Sequence, residues 1–160
     1  MNETGGSYVT YTKQHEEIVN SGAIAINEFL NNANFIEKRS LLFCLDRYLD
    51  PYYGYNLTYF DEIIIVLEMH LFIDHNKEVK EDIFQLITEY SRDSLDYLAD
   101  NIEEINSELL PDAIYALGLT FNKKYLSLLN NYENHKNERI RIIAKEAIET
   151  IKSTNSGSIT

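Results

Sequence analysis

Asn137–Ile151 reads NERIRIIAKEAIETI. Its apolar residues Ile140, Ile143, Ala144, Ala147, Ile148 and Ile151 recur at i, i+3, i+4, i+7, i+8 and i+11, one continuous stripe on a helix of 3.6 residues per turn. A helix this short with one apolar face requires a neighbour, because helical stability in water comes mostly from packing. The neighbour lies upstream, where a helix ending in Ala116-Leu117-Gly118 is followed by a short helix around Leu126 and Leu129. An all-α chain is the expectation, built by packing successive helices against one another.

The rest of the sequence fits that reading. Its 160 residues have the size of a single domain, and two prolines and six glycines leave long helices permitted almost everywhere. Residues 1–12 are expected to form a flexible N-terminus, 13–152 the helical domain and 153–160 a flexible tail. The first helix is placed at 13–31, with Ile18, Ala25, Ile26, Phe29 and Leu30 on its apolar face and Gly22 weakening its middle by about 1 kcal/mol relative to alanine. A second, at 35–49, must end before Asp50-Pro51, since the residue before proline is pushed out of the helical region. The third, at 58–73, is apolar nearly all round and is expected at the centre of the core. Asn56 or Thr58 would cap it, and Asp61 and Glu62 suit its first turn. Its β-branched run also allows a strand, but its length and acidic start favour the helix. Further helices are expected at 76–89, 94–104, 107–120, with Pro111 in the first turn, and 123–131.

Val79-Lys80, Leu109 or Leu110, and Ile140-Arg141 recur at intervals of roughly 30 residues, the mark of stacked helix pairs. The succession from Ala113 onward, with an apolar-Arg pair followed by spaced alanines, resembles a HEAT-like (armadillo-type) helical repeat. The resemblance covers the second half of the chain well and the first half poorly, and its interval is shorter than is usual for HEAT repeats. It implies a right-handed stack of about 7–8 antiparallel helices, an α-α superhelix in one domain.

Charge narrows the classes of function. The net charge is -12, and Asp46–Asp112 alone holds 17 acids against Arg47, Lys77, Lys80 and Arg92. Residues 121–160 instead carry 7 bases and 4 acids. A negative field of this kind repels nucleic acid and anionic lipid and attracts cationic partners. MNETGGSYVTYTK lacks a basic n-region and an apolar h-region, and no apolar run approaches a membrane span, so a cytoplasmic location is expected. Cys44, among Leu42, Phe43 and Leu45, reads as a buried structural thiol.

No hydrolase elbow, phosphate loop, dinucleotide fingerprint, zinc-protease motif or cysteine pair occurs. His70 and Asp74 have a spacing that could hold a metal, with His75 adjacent, but the four histidines are scattered and a satisfied or solvated His70 is the expected state. The acid pairs, such as Asp61-Glu62 and Glu103-Glu104, are adjacent and splay apart on a helix, unlike paired catalytic carboxylates. No cofactor and no metal are expected.

The tyrosines stand out more. Tyr48, Tyr52, Tyr53, Tyr55 and Tyr59 fall within twelve residues, around the loop DPYYGYN and among acids. Tyrosine gives large contact area at low entropic cost and is enriched at binding hot spots. Asp46, Asp50, Tyr52, Tyr53, Tyr55, Tyr59, Asp61, Glu62 and Asp74 are therefore the expected partner-binding residues. The structural alternative is that the rings cap the open end of the helix stack and fill gaps around Pro51.

A small, acidic, all-helical chain without a catalytic motif also resembles the immunity proteins of bacterial toxin-immunity systems, contact-dependent growth inhibition and polymorphic toxins among them. That resemblance implies a non-enzymatic protein, monomeric before binding, that neutralises a basic toxin domain such as a nuclease by covering its cationic site. Two alternatives remain: a helical-repeat enzyme or enzyme subunit resembling the pigment-attachment lyases, and an interaction scaffold that dimerises through Ile142 and the C-terminal helix.

Overall fold

The computed structural model describes residues 9–91 and 93–157. Residues 1–8, which hold most of the expected flexible start, as well as Arg92 and the last tail residues, 158–160, lie outside the described residues. Within the described residues all regular structure is helical. The α-helices are α1 (Lys13–Asn20), α2 (Ala23–Asn32), α3 (Phe35–Leu49), α4 (Phe60–Ile73), α5 (Lys77–Tyr90), α6 (Asp96–Asp100), α7 (Leu110–Gly118), α8 (Leu126–Asn130) and α9 (Glu138–Gly157). Single 3-10 turns at Pro51–Tyr53, Ile102–Glu104, Ser107–Leu109 and Lys123–Tyr125 join or precede them.

Local chemistry sets most of the boundaries. Asn34 accepts the Glu37 N–H at 2.9 Å to cap α3, and Asn76 accepts the Val79 N–H at 2.9 Å to cap α5. Asn137 accepts from Arg139 N–H at 2.9 Å and Ile140 N–H at 3.2 Å to start α9. The Arg141 guanidinium donates to the carbonyls of His135 and Lys136, tying the preceding turn to that helix. Pro111 sits in the first turn of α7, where its missing N–H costs nothing.

The structure departs from the expected elements in specific places. The helix expected at 13–31 is two helices, because Gly22 adopts φ +104°, a left-handed conformation that turns the chain between α1 and α2. Neither Asn56 nor Thr58 caps α4. Its N-cap is Tyr59, without a side-chain bond, although Asp61 and Glu62 do occupy the first turn. The helix expected at 94–104 shortens to α6 and a 3-10 turn. Lastly, α9 runs on to Gly157, past the end expected at Lys152.

The helices pack in two series. α1, α3, α5, α7 and α9 touch in that order, and so do α2, α4 and α6, with α1–α2, α4–α5 and α8–α9 joining one series to the other. Leucines and isoleucines from both fill the core, Ile26, Leu41, Ile63, Leu67, Ile83 and Leu117 among them. α4 stands at the centre, as its all-round apolarity requires. α7 and α9 cross closely at Gly118, where a Cβ would lie 2.7 Å from Ala147 Cβ and 2.9 Å from Ala147 Cα. Only glycine allows that approach.

The connections from odd- to even-numbered helices line one edge. The Tyr59 ring, in the α3–α4 connection, packs on Gly22 in the α1–α2 turn, 3.2 Å from where a Cβ would stand. In the α7–α8 connection, the Asn122 side-chain amide donates to Asp93 O at 2.6 Å and Tyr125 OH accepts the Leu95 N–H at 2.6 Å, both in the α5–α6 connection. Between these pairs, Pro51 and Tyr55 share a hollow with Glu89, Tyr90 and Ser91.

Candidate functional site

The loop DPYYGYN is ordered from its first residue. Asp50 accepts the Tyr52 N–H at 2.9 Å, Pro51–Tyr53 closes a 3-10 turn, and Gly54 leaves it at φ +74°. Tyr55 stacks on the buried Tyr48 with centroids 4.1 Å apart, and the Arg47 guanidinium lies 4.4 Å from the Tyr53 ring centroid. Tyr52 meets Tyr53 edge-on at 5.1 Å. These are favourable aromatic and cation–π contacts. They fix Tyr53 and Tyr55 in place and leave Tyr52 outermost, 85% exposed.

The expected binding residues therefore divide. Tyr52, Tyr53 and Tyr55 form one cluster with Tyr48 and Arg47. Asp46 and Asp50 stand beside it, lining with Tyr53 and Tyr90 a hollow of about 340 Å³ between α3 and α5. Asp46 accepts the Tyr90 hydroxyl, and burial together with that carboxylate pushes the Tyr90 pKa up. Tyr59 is spent partly on Gly22, and Asp61 and Glu62 are exposed in the first turn of α4. Asp74 belongs elsewhere. It ends α4 at the far end from this edge, buried, with Lys38 Nζ 2.6 Å away and the Asn76 N–H donating to it at 2.8 Å. Burial alone would raise its pKa; the Lys38 and Asn76 bonds outweigh burial and lower it. Its role is to hold α3 to the end of α4, because a buried charge needs its counter-ion.

His70, four residues before Asp74, is also occupied. Its Nε2 lies 2.8 Å from the Asn27 Oδ1, so Nε2 carries the proton and donates, while buried Nδ1 has no hydrogen-bond partner among the described residues. Burial lowers its pKa and keeps the ring neutral. Among the described residues no group of three or more His, Cys, Asp or Glu is arranged to hold a metal.

One residue of the edge escaped the sequence reading. Glu68, inside the apolar run of α4, is 2% exposed. Its Oε2 accepts the Leu98 N–H at 2.8 Å, so it serves the first turn of α6 as a cap supplied from another helix. Burial pushes its pKa up to about 7; the Leu98 and Tyr97 N–H groups oppose that shift, and Asp96 and Asp100 reinforce it. Glu68 lines a cleft of about 440 Å³ between α4 and α6, with Phe60, Ile64, Ile65 and Tyr97 as its apolar walls and Asp61, Asp93, Asp96 and Asp100 as further acids. The available signal was an acid within the apolar run IIIVLEM, beyond the acidic first turn of α4.

On the same edge Asp96 is held by Tyr125 OH at 2.7 Å and by Lys124, whose Nζ is 2.9 Å away. These bonds lower the Asp96 pKa, the Tyr125 hydroxyl first. Chemically, the edge offers ionised carboxylates, ordered aromatic faces and one carboxyl poised near neutrality. Compared with known proteins, the chain matches no family model, no curated protein and no solved structure.

Proposed function

We propose that this chain is a non-enzymatic acidic binding protein whose odd-to-even edge docks on a basic protein, and that it acts in the cytoplasm as an immunity protein blocking a cognate nuclease toxin. On this reading the two helix series are a HEAT-like stack, and the edge covers the cationic groups with which the toxin grips phosphate. What supports the reading is the exposure of Tyr52, Tyr53, Asp61 and Glu62, along the α3–α4 connection and the first turn of α4. Carboxylates speed association with a cationic surface, and ring faces already held by Tyr48 and Arg47 lose little freedom on contact. That combination suits tight, salt-sensitive binding without chemistry.

Size-exclusion chromatography and calorimetry with the product of the adjoining gene test the proposal. A complex of defined stoichiometry whose association slows as salt is raised supports it. A protein that binds neither that product nor any other basic nuclease domain overturns it.

A further inference from the structure

The cleft between α4 and α6 has a buried carboxyl in its lining. Asp61, Ile64, Ile65 and Glu68 lie at i, i+3, i+4 and i+7, one stripe of α4 that faces Asp93, Ser94, Tyr97 and Asp100 across the gap. Apolar side chains make the walls, carboxylates stand around them, and the buried Glu68 closes the bottom. Among the described residues no cationic side chain pairs with Glu68, and Lys124 is committed to Asp96.

We propose that this cleft is an anchor pocket for one long cationic side chain, Lys or Arg, inserted by the basic partner, with its methylene stem against Phe60, Ile64, Ile65 and Tyr97 and its charged head at Glu68. The proposal rests on the docking reading above and names where that docking is decided. Shape and charge both select the occupant. A stem of several methylenes suits apolar walls, and a terminal cation suits a carboxylate removed from water. A neutral aliphatic group would fill the walls and leave the floor unanswered, while an anion would meet carboxylates on every side. The volume also accommodates a whole side chain, where an exposed acidic patch would offer only a rim contact worth little.

Insertion is coupled to a proton. The groups that face Glu68 are Asp96 and Asp100 from α6, Asp93 from the connection before it and Asp61 from α4; α2 meets the opposite side of α4, where His70 bonds Asn27, and α5, which also packs on α4, contributes no described side chain to the cleft. An arriving cation favours the ionised carboxyl, so a proton leaves Glu68 as the side chain enters.

The test uses the full chain and two probes, ethylguanidinium for the arginine head and butylammonium for the lysine head, followed by amide NMR shifts. Saturable shifts of the Tyr97 and Leu98 amides are expected, with affinity about tenfold higher at pH 8 than at pH 6, the ratio of ionised Glu68 for a pKa near 7. Which probe binds more tightly identifies the head group. E68Q, which keeps a carbonyl for the Leu98 N–H, should remove the pH dependence and weaken binding at pH 8 to below the wild-type level at pH 6. Equal shifts with neutral butanol, or an unchanged response in E68Q, overturn the pocket. The two readings separate cleanly: a partner that binds wild type and E68Q alike refutes the anchor but keeps the docking edge, whereas saturable probe binding without any basic partner does the reverse.

Discussion

Glu68 and Asp74 are buried carboxyls of the same helix and its cap, and they predict opposite responses to pH. Glu68 is raised from 4.5 to about 7 in the folded chain, so the folded state holds its proton over a range where the unfolded state has released it. Stability from this group falls as pH rises from about 4.5 through 7, by at most roughly 3 kcal/mol, since a tenfold difference in proton affinity between the two states is worth about 1.4 kcal/mol. E68Q should therefore match wild type at pH 5 and exceed it by about 2 kcal/mol at pH 8, read as urea midpoints at the two values. For Asp74 the folded pKa is depressed below 3.8, and its contribution is present above the unfolded pKa and lost as pH falls through the folded one. D74A leaves Lys38, whose side chain is only 17% exposed, without its counter-ion and should cost about 3 kcal/mol at pH 7 by chemical denaturation. Cys44 is inert by comparison: burial pushes its thiol up to about 12, and thiol reagents should label it only on unfolding.

At the scale of elements, the crossing of α7 and α9 is a tight constraint. G118A gains about 1 kcal/mol of helix propensity yet forces a Cβ into Ala147, whose Cα is backbone and cannot swing aside. The net result should be a loss of about 2 kcal/mol, visible as a lower thermal midpoint, and a larger residue at 118 should cost more. The helices themselves were largely legible in the sequence. The stripe from Ile140 to Ile151 named its own buried face, and Pro51 ended α3 where the structure ends it. What failed to show were breaks whose cause lies in tertiary contacts. Gly22 reads as a weak point in a continuous helix until Tyr59, thirty-seven residues on, is seen to pack on its bare Cα. Glu68 likewise reads as one polar residue in a core helix, because the Leu98 N–H it serves is distant in sequence. Of the expected binding residues, tyrosine density marked the loop around Pro51, but spacing alone could not tell an acid facing solvent from Asp74, paired with Lys38.

For the whole molecule, the exposed residues of the proposed docking edge stand apart from the core, and that separation can be measured. Y52A removes a ring that is 85% exposed and should leave the unfolding midpoint unchanged within about 0.5 kcal/mol while accelerating dissociation of a basic partner. Reversing charge with E62K, outside the cleft, should slow association and flatten its salt dependence, with dissociation little changed, as stopped-flow mixing would show. A fall in stability for either variant would mean that the edge is part of the core after all. The same arrangement bears on how such a chain can diverge. The connections on the edge range from the tight Ser21-Gly22 turn to the run between Asp50 and Tyr59, yet all of them begin and end on helices held by other contacts. Doubling a surface loop costs only about 0.6 kcal/mol of closure entropy. Insertions and deletions there can rewrite what the protein recognises while the helices behind stay as they are, so lineages of this fold would be expected to differ first in loop length, before any change in the stripe that holds the stack together.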